Sequence, residues 1–310
     1  MRVYYSDKFV LPLPDGHRFP MSKYSRLRQR VETELGDRID LCVAPAVAIE
    51  DLKTAHHDDY IQRVIDGSLS SRDVRALGFP WSPELVERSR RSVGATIAAC
   101  RDAFVEGRSV SLAGGTHHAF ADRPQGFCVF NDSVVAARVL RRSSLLNRVA
   151  VIDCDVHQGN GTASLVRNDP DIFSFSIHGE KNFPTQKEQS DLDIAVPDQA
   201  GDAIYIRLLE QGIASMEKRF KPELVIYLAG ADPYRGDRWG RTGLSRQGLR
   251  RRDDLVIGWC EAQAVPLAVT MAGGYAKDID AIVDIHFNTV LRALESDLVK
   301  LPVKRDCPVS

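Results

Sequence analysis

The sequence predicts an α/β fold in a single domain spanning residues 1–310, with a central, mostly parallel sheet covered by helices on both faces. Three observations carry this reading. Short apolar runs alternate with longer stretches of helical period, the pattern of repeated strand–helix units. Most of the short runs are apolar at every position, as strands buried on both faces are. Four of them run directly into clusters of reactive side chains, which suits an open parallel sheet, where ligands bind beyond the carboxyl ends of the strands.

Strands are expected, in chain order, at 2–5, 41–44, 110–113, 149–153, 172–177, 224–229 and 267–271. The first expected helix covers 22–35, and a long one opens at Ser82-Pro83-Glu84 and runs to about residue 106. Ser82 suits the N-cap. Pro83 suits the first helical position, where its missing N–H has no partner to lose, and Glu84 places negative charge in the first turn. Further helices are expected at 132–142, 202–219, 246–263 and 279–298. His56-His57 stands just before Asp58-Asp59-Tyr60, at an expected helix start, and reads as a polar pair rather than a ligand pair. His286 falls inside a helix and reads as packing or surface. Residues 11–20 hold three prolines, too many for regular structure. The polar tail 301–310 is expected to be loosely attached.

Composition narrows the function classes. The 41 basic and 42 acidic residues give a net charge of −1, so there is no electrostatic footprint for nucleic acid or for a membrane surface. No apolar run approaches the roughly 20 residues of a membrane span, and the first residues lack the apolar core of a signal peptide. The expectation is a soluble cytoplasmic protein. The six cysteines include no Cys-x-x-Cys pair and read as reduced thiols. Nothing in the sequence signals an oligomeric state.

The chemistry lies at four strand ends: Gly114-Gly115-Thr116-His117-His118, Asp153-Cys154-Asp155-Val156-His157, Gly230-Ala231-Asp232 and Ala272-Gly273-Gly274-Tyr275. In extended backbone, side chains at i and i+2 face the same way. Asp155 and His157 can therefore grip one ion, with Asp153 behind them and Asp232 arriving from another strand. One histidine and two carboxylates leave a metal position open for water. Zn²⁺ is the default, and the oxygen-rich set also suits Fe²⁺, Co²⁺ or Mn²⁺. His117 and His118 are adjacent, so they point differently. One or both can handle a proton. The Tyr275 phenol can donate to a developing oxyanion.

At these residues the chain resembles the histone deacetylase family of the arginase/deacetylase fold. The matches are Gly-Gly-Thr-His-His-Ala (114–119), Gly-Phe-Cys-Val-Phe-Asn-Asp (126–132), Asp-Cys-Asp-Val-His-Gln-Gly-Asn-Gly-Thr (153–162), Ala-Gly-Ala-Asp (229–232) and Gly-Gly-Tyr (273–275). They come in the family's order, and the similarity extends over nearly the whole chain. His-Gln-Gly-Asn-Gly and the early Gly-His-Arg-Phe-Pro-Met look most like the class IV branch and its bacterial relatives.

The resemblance implies roles. Asp155, His157 and Asp232 would bind Zn²⁺. His118 would be the general base and later the acid, and His117, paired with Asp153, a second, electrostatic histidine. Tyr275 would polarise the acyl carbonyl. Phe127 and Phe183 would wall an acyl-lysine channel, with Gly126 and Gly274 beside it. A structural K⁺ would lie near Asp153, Asp155, His157, Ser176 and Ile177. Asn160 departs from the commoner aspartate. An amide orients His118 without stabilising its imidazolium, so a lower pKa is expected there. The implied activity is removal of acetyl or longer acyl groups from lysine side chains of a protein or peptide. A binuclear ureohydrolase would need more carboxylates than Gln158-Gly159-Asn160 or Pro233-Tyr234 supply. An acetylpolyamine hydrolase would need an acidic mouth, for which Asp15 is the one candidate. A non-catalytic acyl-lysine binding module would have lost a ligand, a histidine or the tyrosine, and none is lost.

Overall fold

The computed structural model describes residues 1–298; the tail 301–310, with Cys307, lies outside them. Eight strands form one sheet: β1 (Arg2–Tyr5), β2 (Asp40–Val43), β3 (Arg108–Ser111), β4 (Val149–Asp153), β5 (Ile172–Gly179), β6 (Leu192–Val196), β7 (Leu224–Leu228) and β8 (Leu267–Thr270). Their order is β2-β1-β3-β8-β7-β4-β5-β6, and every pair is parallel.

The helices are α1 (Ser22–Leu35), α2 (Ile49–Leu52), α3 (Asp58–Asp66), α4 (Ser71–Leu77), α5 (Pro83–Glu106), α6 (Asp132–Arg142), α7 (Asn160–Val166), α8 (Asp202–Arg219), α9 (Arg246–Gln263) and α10 (Ile279–Leu294). The sheet divides the core in two. Ala150, Ile152, Val225 and Tyr227 pack with α1, α8, α9 and α10 on one face. Val149, Val151, Leu224, Ile226 and Leu228 pack with α3, α5 and α6 on the other. That alternation explains why β4 and β7 read as unbroken apolar runs: each face has its own helical cover. Each such valine or isoleucine, fully buried, contributes about 1.5–3 kcal/mol.

The opening of α5 follows its cap. Ser82 Oγ accepts from Leu85 N at 3.2 Å, and the helix stops at Gly107 with φ 88°. The last helix ends at Leu294 rather than 298. Arg108 Nη2 takes the Leu294 carbonyl at 3.0 Å and Nη1 that of Leu298 at 2.6 Å, and Leu298 stays buried, which prolongs the apolar period past the helix end. Strand β6 was not anticipated. It is an edge strand, exposed at Asp193 and Ala195, and too short and half-polar to stand out. Short helices α4 and α7 were missed as well; α7 begins Asn160-Gly161, both poor helix formers. Among the described residues, no helix is long and apolar enough to cross a membrane.

The four strands that lead into the chemical clusters, β3, β8, β7 and β4, occupy four consecutive places in the sheet. Because all are parallel, their carboxyl ends share one edge.

Candidate active site

Beyond β3 the chain turns through Gly114 and Gly115. Asp132, fully buried at the start of α6, gathers this loop: it accepts from Gly115 N at 2.9 Å, Thr116 N at 2.7 Å, Thr116 Oγ1 at 2.7 Å and Thr96 Oγ1 at 2.6 Å. Gly115 has φ 73°, and a Cβ there would stand 2.5 Å from Ala272 Cβ. Glycine thus lets the histidine loop lie against the tyrosine loop. The two histidines then diverge. His117 Nδ1 lies 2.6 Å from Asp153 Oδ2, and His118 Nδ1 2.7 Å from Asn160 Oδ1. Asn160 Nδ2 donates to Gln125 Oε1 at 2.7 Å, which fixes the amide so that Oδ1 accepts from His118. His118 therefore carries its proton on Nδ1 and presents a lone pair at Nε2.

Asp155, His157 and Asp232 are buried, and their donor atoms all lie within 4.8 Å of one another. His157 Nδ1 is 3.0 Å from Asp155 Oδ1 and 3.3 Å from Asp232 Oδ2. The convergence was expected from extended backbone, but β4 stops at Asp153. The backbone instead turns on its own carboxylates: Asp155 N donates to Asp153 Oδ1 at 3.1 Å and His157 N to Asp155 Oδ1 at 2.9 Å.

These residues fit a divalent cation. Asp155 Oδ2 accepts from Gly273 N at 2.7 Å and Asp232 Oδ1 from Val156 N at 2.9 Å, while the buried Asp232 Oδ2 accepts from no backbone N–H. Burial, then repulsion from Asp155, raises the Asp232 carboxyl to about 7. Burial would lower His157, but the Asp155 and Asp232 carboxylates facing its Nδ1 raise it, and a cation held by the same three groups would take the place of that proton. Two buried carboxylates that meet at one imidazole, with Asp232 Oδ2 given no donor but His157, are what a bound cation resolves. A Cβ on Gly273 would come 2.0 Å from Asp232 Oδ2 and 2.5 Å from Asp155 Oδ2, so only glycine leaves the donors free to converge. Asp237 is no further ligand: Oδ1 accepts from Trp239 N at 2.8 Å and Gly240 N at 3.0 Å, and Oδ2 from Tyr275 N at 2.6 Å.

The histidines are set apart electrostatically. Burial opposes the charge on His117, but Asp153 and Asp155 prevail and raise it to about 9. Burial, then the neighbouring His117 and His157, pushes His118 well below its ordinary value; the Asn160 bond pulls the other way and loses. Burial, then Asp155 and Asp232, holds the Tyr275 phenol well above its usual range, so it keeps its proton. An Asn160→Asp variant would place a carboxylate on His118 Nδ1 and raise the His118 pKa by about 1–3 units. Since a base works only when unprotonated, the acid limb of kcat/KM should move to higher pH in that variant. A pH–rate profile with unmoved limbs would contradict the placement of Asn160.

Above these groups opens a mouth of about 550 Å³. Phe127 forms one wall, held at φ 66° by its N–H on Leu77 O at 2.8 Å, with its ring nearly parallel to Trp239 at 5.7 Å. This left-handed backbone is uncommon for a bulky residue. Phe183, half-exposed, stands 5.1 Å from the His118 ring on the other side, and Gly126 also lines the opening. Gly274 does not: a Cβ there would meet Ile282 and Ala231, so the residue faces the interior. Tyr275 also lines a small recess of about 40 Å³, shared with His117, His118 and Asp155 and bordered by Lys23. Lys23 is 2% exposed, donates to Gly274 O at 3.2 Å, and lies 5.1 Å from the Tyr275 ring and 5.4 Å from that of Phe19. Lys23, Gln125, Trp239 and Asp237 were not anticipated. Lys23 had a visible signal, as a lysine on the buried stripe of Leu27, Val31 and Leu35. His56 is structural: it lies 2.9 Å from Phe120 O through Nδ1 and accepts from Asn131 N at 2.9 Å through Nε2. His286 is buried in the core.

Comparison with known proteins gives the family and the fold. A model of the histone deacetylase domain matches residues 17–290. An uncharacterized protein of Picosynechococcus is 38% identical over 92% of this chain and 95% of its own length. A histone deacetylase-like amidohydrolase of Pseudomonas aeruginosa is 29% identical over 86% of this chain and 74% of its own. The fold matches the crystal structure of a histone deacetylase homologue complexed with SAHA, with TM-score 0.82 and 21% identity, over 96% of this chain and 84% of the other. Zinc is typical of the family, and the buried Asp155–His157–Asp232 group stands ready for it. With that match and this centre, the chain belongs to the histone deacetylase family of hydrolases.

Proposed function

We propose that the chain is a zinc-dependent hydrolase of acyl-lysine side chains that prefers short acyl groups. The observation that carries this is the convergence of a proton-free His118 Nε2 and a buried metal-ligand triad beneath an aromatic-walled mouth that Tyr275 also lines. When bound, the metal would supply Lewis acidity toward water and the acyl carbonyl. The chain's own residues do the rest. Phe127, Phe183 and Trp239 enclose the aliphatic stem and exclude water. His118 takes a proton from the attacking water and returns it to the leaving amine. His117, held as imidazolium by Asp153, keeps positive charge beside the reacting centre. Tyr275 donates a hydrogen bond to the carbonyl oxygen as it gains charge. A structural K⁺ is also part of this reading: Asp153 and Ser176 are paired across β4 and β5, beside Asp155, His157 and Ile177.

The small recess beside Tyr275 limits acyl length. At about 40 Å³ it has room for a few waters or a short acyl group, not for a fatty chain. The test is a panel of acetyl-lysine peptides, myristoyl-lysine peptides and acetylpolyamines with the zinc-loaded protein. Acetyl-lysine should turn over fastest. Faster turnover of myristoyl-lysine would replace the short-acyl reading, and faster turnover of acetylpolyamines would replace the lysine reading.

A further inference from the structure

The mouth carries charge that the mechanism above does not use. Lys181, Arg238 and Arg241 all line it, all are exposed, and no aspartate or glutamate is among the lining residues. Asp198 engages Arg241 at 2.6 Å and stands 4.0 Å from Lys181; Arg238 has no ion-pair partner among the described residues. Asp198 is ion-paired with two of these cations, and Asp237, next to Arg238, has both oxygens on backbone N–H groups; three exposed cations against these two carboxylates leave the rim positive, on a chain whose net charge is −1. The patch is therefore local and not a by-product of a basic protein. Its two loops are pinned to each other: Asn182 Nδ2 donates to Trp239 O at 2.7 Å and Asn182 Oδ1 accepts from Arg241 N at 3.1 Å. Asp15, the expected acidic group, is exposed but does not line the mouth.

We propose that this rim selects acyl-lysines with negatively charged neighbours, in a protein or peptide, and disfavours cationic amines. The inference rests on the acyl-lysine reading above. Charges around a cleft focus the field and bias encounter. Each exposed pair is weak and screened by salt, so the preference should be about tenfold in total at low ionic strength and fade as salt rises.

The test uses three acetyl-lysine peptides that differ only in flanking residues: Glu, Gln or Lys. For the intact protein, kcat/KM should fall in that order, and the spread should collapse in high salt. Arg238→Glu should shrink or reverse the order. Equal values for all three peptides would overturn this inference and leave the deacylase reading standing. If none is hydrolysed, the deacylase reading fails, and fluorescence anisotropy with the same peptides still tests the rim: tighter binding of the Glu peptide supports it, and equal binding overturns it.

Discussion

Replacing His118 with alanine is expected to lower kcat by about 10²–10⁴-fold while zinc remains bound. Tautomer and charge make His118 the base. Asn160 accepts from Nδ1, leaving Nε2 with a lone pair, and burial beside His117 and His157 keeps the ring neutral. His117 cannot substitute, because Asp153 and Asp155 hold it protonated, with its pKa raised to about 9. The variant leaves Asn160 Oδ1 without its partner, which costs about 1–3 kcal/mol of stability. Turnover should therefore be compared at matched metal content and below the melting transition. A loss under about tenfold would move the base to another group.

Tyr275→Phe is expected to reduce kcat by about 10²–10³-fold with KM little changed. The substitution removes one oxygen and leaves the wall intact. The ring still packs 4.4 Å from Trp239 and 5.9 Å from Phe19, and the backbone N–H still donates to Asp237. Loss of kcat without loss of binding is the signature of an interaction made in the transition state. A variant that binds peptide less well but turns over normally would make Tyr275 a wall residue only.

The sequence made the reactive groups legible and hid most of their supports. Asp155, His157, Asp232, His118 and Tyr275 follow strands buried on both faces, whose apolar runs announce them. Their supports answer across long separations. Asp132 gathers Gly115 from 17 residues away, Gln125 fixes Asn160 from 35, Asp237 clamps Tyr275 from 38, and Lys23 reaches Gly274 from 251. Topology sets those contacts, and no local spacing records them. The mouth is similar: its positive charge comes from two loops pinned by Asn182. Strand β6 escaped because an edge strand needs apolar residues on one face only.

The most direct measurement strips the protein of metal and restores zinc stepwise while hydrolysis of an acetyl-lysine peptide is followed. Asp155, His157 and Asp232 form one cluster, and both Asp237 oxygens are taken by backbone N–H groups. The rate should be abolished by stripping and should rise to a plateau at one zinc per chain. Full turnover in the stripped protein, or a plateau that requires two zinc ions, would contradict a single metal held by Asp155, His157 and Asp232.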